Sequence, residues 1–274
     1  MSNVTLSAGV RQNLLSLQQI SAQLTTTQEH LATGKKVNSA LDNATEFFTA
    51  QGLDTRASDL SSLLDGITNG INTIQTANNG ITAIDKLVQS AQSIVTQAQQ
   101  STDPTTYASL GTQYNNLLSQ IDQLAKDSSF NGVNLLNGNS LTLTLDEAAS
   151  NPTTLTIAAS TATSAALSLS AVTWTTASVA TDFAAAATAL SSALTTLQTD
   201  SSTLSSNLQT IQIRSDFTKS MINTLQTGAG DLVNADSNEE GANLLALQTQ
   251  QSLSTTALSL AAQSDRNVLK LFGG

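Results

Sequence analysis

His30 is the only histidine in a chain of 274 residues that contains no cysteine, so it alone could serve as the base of a Ser-His-Asp arrangement. Its neighbours Gln28, Glu29 and Leu31 offer no nucleophile, and a histidine among them reads as part of a helix surface. Without a thiol or a second imidazole, zinc clusters, disulfides, thiol nucleophiles and redox pairs are excluded. Asp54 with Asp59, or Glu239 with Glu240, could act as acid and base or hold calcium, but no oxygen-rich loop gathers around them. They read as solvated faces, and the second pair as charge that favours a helix start. Gly34-Lys35 lacks the upstream glycine of a phosphate loop, and Gly228 and Gly230 are followed by Val233 where a dinucleotide fingerprint needs glycine. Gly66 and Gly70 have the GxxxG spacing of membrane dimers, yet among Asp65, Thr68 and Asn69 they fit close packing between helices in water. No catalytic, cofactor-binding or metal-binding set survives, so the chain is expected not to be an enzyme and to need no cofactor.

Composition narrows the classes further. Charged residues make up 11% of the chain, against about 25% in ordinary soluble domains. Ten Lys+Arg against 20 Asp+Glu give a net charge of −10, which leaves no basic surface for a nucleic acid. No run of about 18 apolar residues is present, so no membrane span is expected. The opening MSNVTLSAGVRQN lacks the blocks of a cleavable signal.

What the chain must position is therefore apolar rather than catalytic. Val10, Leu14, Leu17, Leu24 and Leu31, with Ser21 and Gln28 in the intervening slots, follow a 4-3 spacing of the coiled-coil kind. A second seam runs Leu60, Leu64, Ile67, Ile71 and Ile74. It shifts phase and continues through Ala77, Ile81, Ile84, Val88, Ala91, Val95 and Ala98, which reads as a change of winding inside one helix. Residues 57–100 as one helix would measure about 66 Å. Asp103-Pro104 starts another, with seam Tyr107, Leu110, Tyr114, Leu117, Ile121 and Leu124, returning antiparallel. The most regular seam runs from Phe183 to Leu225 and includes Leu190, Leu194, Leu197, Leu204, Leu208 and Ile211. The last comprises Ala246, Gln250, Leu253, Ala257, Leu260, Ser264, Asn267 and Leu271. Between residues 130 and 178 the period drops to two: Leu141, Leu143 and Leu145, then Leu155 with Ile157, Leu167 with Leu169, and Val172 with Trp174. Hairpins are expected there, flanked by turns at Asn131-Gly132 and Asn137-Gly138. The fold class is mainly α, a long antiparallel coiled-coil rod with a small β-hairpin region. The thin terminal stripes, marginal as isolated helices, are expected to order only against each other and against neighbouring copies.

Several segments then resemble one family in the right order. LATGKKVNSALDNA (Leu31 to Ala44), DGITNGINTIQTANNGITAID (Asp65 to Asp85), FNGVNLLNG (Phe130 to Gly138) and ALSLAAQSDRNVLKLFGG (Ala257 to Gly274) are similar to bacterial flagellins, over roughly residues 1–138 and 180–274. The resemblance implies a short flagellin without large outer domains. Residues 1–40 with 232–274 would form the inner filament core, 41–137 with 178–231 the rod, and 138–177 the outer region. Val10, Leu14, Leu17, Leu24, Leu31, Leu253, Leu260 and Leu271 would serve assembly. Leu64, Ile67, Ile71, Ile74, Leu117, Ile121, Leu194, Leu197, Leu204, Leu208 and Ile211 would form the rod core. The implied partners are further copies in a homo-polymer, the flagellar type III export apparatus, an export chaperone, and cap and junction proteins. The implied location is the secreted, extracellular filament. Flagellins seen by the vertebrate innate-immune receptor resemble one another in an Arg-x-x-x-Leu pair, and this chain has Ser90 and Ile94 at the matching positions. A guanidinium is not replaced by a hydroxyl, so weak recognition is expected. A hook–filament junction protein is the alternative with the same terminal helices. A type III effector or translocator, or a secreted serine hydrolase using His30, are alternatives of other kinds.

Overall fold

The computed structural model describes residues 8–147, 151–175 and 180–272, with the side chains of residues 180, 265 and 268–272 outside the description. In chain order the elements are α1 (Ala8–Thr33), α2 (Ala44–Gln100), α3 (Pro104–Asp127), a single 3-10 turn (Leu135–Asn137), β1 (Leu141–Thr144), β2 (Thr154–Ile157), α4 (Ala180–Val233) and α5 (Ser237–Phe272). The described residues are mainly helical with one small antiparallel sheet, as the periodicities indicate. The termini of the helices follow from caps. α2 begins thirteen residues before its expected start because the Asn43 side chain accepts from Glu46 N at 3.2 Å. Asp103 caps α3 by accepting from Thr105 N at 3.2 Å, with proline at the first turn. Hydrogen bonds from Thr105 and Thr106 hold the Asp103 carboxyl below its usual pKa. Asp236 caps α5, accepting from Asn238 N at 2.8 Å.

Residues Met1–Thr55 with Thr224–Gly274 form one compact unit, and Arg56–Asn223 form a second. The second unit holds a core drawn from α2, α3, α4 and the β region. Ile67, Ile74, Ile121, Leu197, Leu204 and Ile211 are buried, Ile71, Leu117, Leu194 and Leu208 are half-buried against that core, and Leu64 is half-buried. The phase shift of α2 is visible where Thr73 and Ile74 are both buried. α3 runs antiparallel to α2: three residues separate the helices, and Gly80 of α2 lies against Ser128 just beyond the far end of α3. In α3 the buried stripe is Leu110, Tyr114, Leu118, Ile121 and Ala125, with Leu117 half-buried beside it.

β1 and β2 pair with Leu141 opposite Ile157 and Leu143 opposite Leu155, as the two-residue period suggests. Leu167–Leu169 and Val172–Trp174 keep that period in their burial but form no strand. Their backbone groups find other partners. Val172 exchanges two hydrogen bonds with the Asn115 side chain of α3, at 2.8 and 2.9 Å. Leu167 and Leu169 close a turn on Thr163 and Ser164, and Ser168 adopts φ 58° within it. A side-chain amide and a turn thus satisfy donors and acceptors that a ladder would otherwise need. Trp174 completes an aromatic cluster, with ring centroids 5.4 Å from Tyr114 and 5.2 Å from Phe183. Burial raises the Tyr114 pKa. Gly70 admits Leu143 against the α2 backbone, whereas nothing approaches Gly66.

Candidate assembly surface

In the first unit the chain after α1 meets the chain before α5. Gly34 turns with φ 69°, its carbonyl accepts from Ala235 N at 2.9 Å, and Lys36 N donates to Val233 O at 2.8 Å. These bonds pin the end of α1 to the start of α5, so the two helices run antiparallel where they pack along each other. His30 extends the junction: its Nδ1 lies 2.8 Å from Glu240 Oε1, with the side chains 23% and 16% exposed. The histidine that reads as surface is therefore half-buried, and its partner lies 210 residues away. Asp42 accepts from Asn38 N and Ser39 N in the next turn, and those bonds keep its carboxyl below the usual pKa.

The stripe that α1 turns inward is Val10, Asn13, Leu17, Ile20, Leu24 and Thr27. Val10, Leu17 and Leu24 belong to the 4-3 seam read from the sequence. Leu14 and Leu31 do not face inward, being 40% and 41% exposed, and the chain uses Ile20 and Thr27 in place of Ser21 and Gln28. On α5 the half-buried stripe is Leu244, Leu247, Gln251, Ser254, Leu258 and Ala261. The stripe read from the sequence, Ala246, Gln250, Leu253, Ala257, Leu260, Ser264 and Asn267, is exposed instead. Leu253 is 65% and Leu260 68% exposed, joined by Leu245 at 66%. The Leu271 side chain lies outside the described residues.

The α1/α5 pair is thus two-faced. One stripe of each helix packs within the chain, and a second, leucine-bearing stripe is left in water. Exposed apolar rows of this kind mark surfaces that take a partner. Among the described residues no group of three or more acidic or histidine side chains could hold a metal, and no helix is long and apolar enough to cross a membrane. On α2, Ser90 is exposed and donates to Lys86 O, while Ile94 packs half-buried against the core.

An antiparallel helical pair that leaves leucine stripes exposed defines a helical class of chain with apolar surface open to a partner. Residues 7–140 match the bacterial flagellin N-terminal helical region and residues 187–272 the bacterial flagellin C-terminal helical region. Flagellins FljK and FljN of Caulobacter vibrioides are each 32% identical to it over 99% of both chains. A flagellin of Aquifex aeolicus is 36% identical over 39% of this chain and 21% of its own length. The crystal structure of Bacillus cereus flagellin aligns over 55% of this chain and 86% of that one, with TM-score 0.44 and 20% identity. The chain belongs to the flagellin family. It is a structural subunit of the bacterial flagellar filament, and its family polymerises into that filament.

Proposed function

We propose that the chain polymerises by burying the outer leucine stripes of α1 and α5 against neighbouring copies. The observation that supports this most directly is the row Leu245, Leu253 and Leu260, each about two thirds exposed on a helix whose other stripe already packs on α1. In this reading residues 1–40 with 232–274 line the filament interior, 41–137 with 178–231 form the surrounding rod, and 138–177 face outward. The chain performs no catalysis, and His30 serves its bond to Glu240. It leaves the cell through the flagellar type III export apparatus with an export chaperone, and it meets cap and junction proteins at the filament ends. With Ser90 and Ile94 in place of an Arg-x-x-x-Leu pair, it stimulates the vertebrate flagellin receptor weakly. Thin inner stripes carrying Gln251 and Ser254 leave the α1/α5 pair loosely held until copies stack.

The test is the double variant Leu253→Ser with Leu260→Ser, beside deletion of residues 232–274. Both are expected to abolish sedimentable polymer, with the helical content of the double variant unchanged by circular dichroism. Long filaments from either protein would overturn the reading.

A further inference from the structure

Two carboxylates from different segments bear on the imidazole of His30. Its Nδ1 donates to Glu240 of α5 at 2.8 Å. From the chain after α1 it is faced by Asp42, whose carboxyl is held low first by the Ser39 and Asn38 N–H groups and in smaller part by the charge of His30. The other charged groups around the junction are turned elsewhere. Glu29, beside His30 on α1, meets the Asn38 amide at 3.5 Å, and Lys36 Nζ donates to Asp231 O at 3.1 Å. Lys35 lines a cleft with Asp54. On α5, Asp236 accepts from Asn238 N and Glu239 N, and the Glu239 side chain is exposed. Among the described residues Glu240 has no ion-pair partner but His30.

This pair lies at the junction where α1 and α5 are also pinned by the bonds from Lys36 N to Val233 O and from Ala235 N to Gly34 O. The Glu240 carboxylate accepts from Nδ1 in either charge state of the ring, but the two states differ in strength. With the ring neutral the contact is a hydrogen bond to an anion. With the ring protonated it is also an ion pair, and Asp42 adds a second attraction. Histidine is the side chain whose charge ordinarily changes between about pH 5 and 8. The chain has one histidine and no cysteine, so one residue carries that response at this junction.

We infer that the His30–Glu240 pair is a pH-responsive latch on the α1/α5 junction, closed while the imidazole is protonated and slackened as pH rises and the ring loses its proton. The latch acts inside a single chain and stands whether or not copies assemble.

Amide exchange of dilute monomer, followed at Lys36 and Ala235, reads local opening of the junction. Comparing each variant with wild type at the same pH cancels the intrinsic effect of pH on exchange. Glu240→Gln keeps an acceptor and loses the charge. It is expected to exchange about tenfold faster than wild type at about pH 5.5, and within about twofold of it at about pH 8. His30→Gln keeps a donor that does not titrate, so in that background Glu240→Gln is expected to have the same effect at both pH values. A Glu240→Gln effect of equal size at both pH values in the natural background would overturn the latch. So would an effect that still changes with pH once His30 is replaced. Both variants are expected to keep wild-type helical content at pH 8 by circular dichroism; a loss there would overturn the inference too, because the pair would then hold the fold rather than respond to pH.

Discussion

Three glycines of α2 should respond to the same substitution with opposite signs. In an open helix position, replacing glycine by alanine stabilises by about 1 kcal/mol, from helix propensity and from the reduced freedom of the unfolded chain. Gly66 is such a position, with nothing within 4 Å of an added Cβ. At Gly80 the added atom would lie 2.7 Å from Leu136 Cδ1 and against Ser128 Oγ, inside any normal contact distance. Neither neighbour can yield easily. Leu136 is fully buried, its N–H donates to Asn134 Oδ1 at 2.9 Å, and its carbonyl accepts from Ala162 N at 3.0 Å. Ser128 Oγ donates to Leu124 O at 2.7 Å at the end of α3. Overpacking against such a site costs about 1–3 kcal/mol, so after the propensity gain Gly80→Ala should destabilise by up to about 2 kcal/mol. Gly70→Ala should fall between, because its obstacle at 2.6 Å is the flexible end of the Leu143 side chain. Trp174, the single tryptophan and 3% exposed, reports the second unit by fluorescence. Urea unfolding of dilute monomer should therefore move its midpoint up for Gly66→Ala and down for Gly80→Ala at constant slope. Equal shifts, or a Gly80→Ala protein more stable than wild type, would refute the reasoning.

Two further expectations concern the second unit. Asn115→Leu removes both bonds to Val172 and should cost about 1–3 kcal/mol, with faster amide exchange at Val172 than at residues of the β1/β2 pair; unchanged exchange would contradict the bracketing role. Asp200, half-buried on α4, has its pKa raised by burial despite a hydrogen bond from Ser160. The native state therefore holds a proton that the unfolded chain has released above its ordinary value of 3.8, and stability is lost as pH rises through the raised native value. Asp200→Asn should gain on wild type across that window and keep a constant lead at higher pH, read from urea midpoints between pH 3.5 and 7; a lead that does not change with pH would contradict it.

Where a single apolar stripe runs along a helix without a second one beside it, the seam in the sequence matches the burial in the fold. In α2 the stripe from Ile67 to Val95, with Ala77, Val88 and Ala91 among its members, is buried or half-buried, as is that of α4 from Leu190 to Ile211. In α1 and α5 the apolar residues form two overlapping stripes, Leu14 and Leu15 beside Leu17, and Leu245 beside Leu244 and Leu247. Spacing alone ranks the stripe with the cleaner 4-3 rhythm first. Which stripe turns inward is decided by the bonds among Gly34, Lys36, Val233 and Ala235, made between segments about 200 residues apart. No local pattern announces them, nor the His30–Glu240 bond. The Leu167–Trp174 region fails for a related reason: its alternation reports burial, while the identity of a strand depends on a neighbouring strand, and Asn115 takes that place.

The magnitude of the outer stripe indicates how sharply assembly should depend on it. Burying a leucine fully is worth about 1.5–3 kcal/mol, so one already a third buried gains about 1–2 kcal/mol from a partner. Leu245, Leu253 and Leu260, with the less exposed Leu14, Leu15 and Leu31, then contribute a total of the same order as the cost of immobilising a subunit, about 4–15 kcal/mol. A contact so close to balance lets small changes decide the outcome. Each loss of about 1.4 kcal/mol raises the critical concentration tenfold. Leu260→Ser alone should thus raise it about tenfold, and adding Leu253→Ser should raise it about a hundredfold, beyond the range in which dilute protein sediments. If the single variant polymerised at the wild-type concentration, the outer face of α5 would be facing solvent in the filament as it does in the isolated chain.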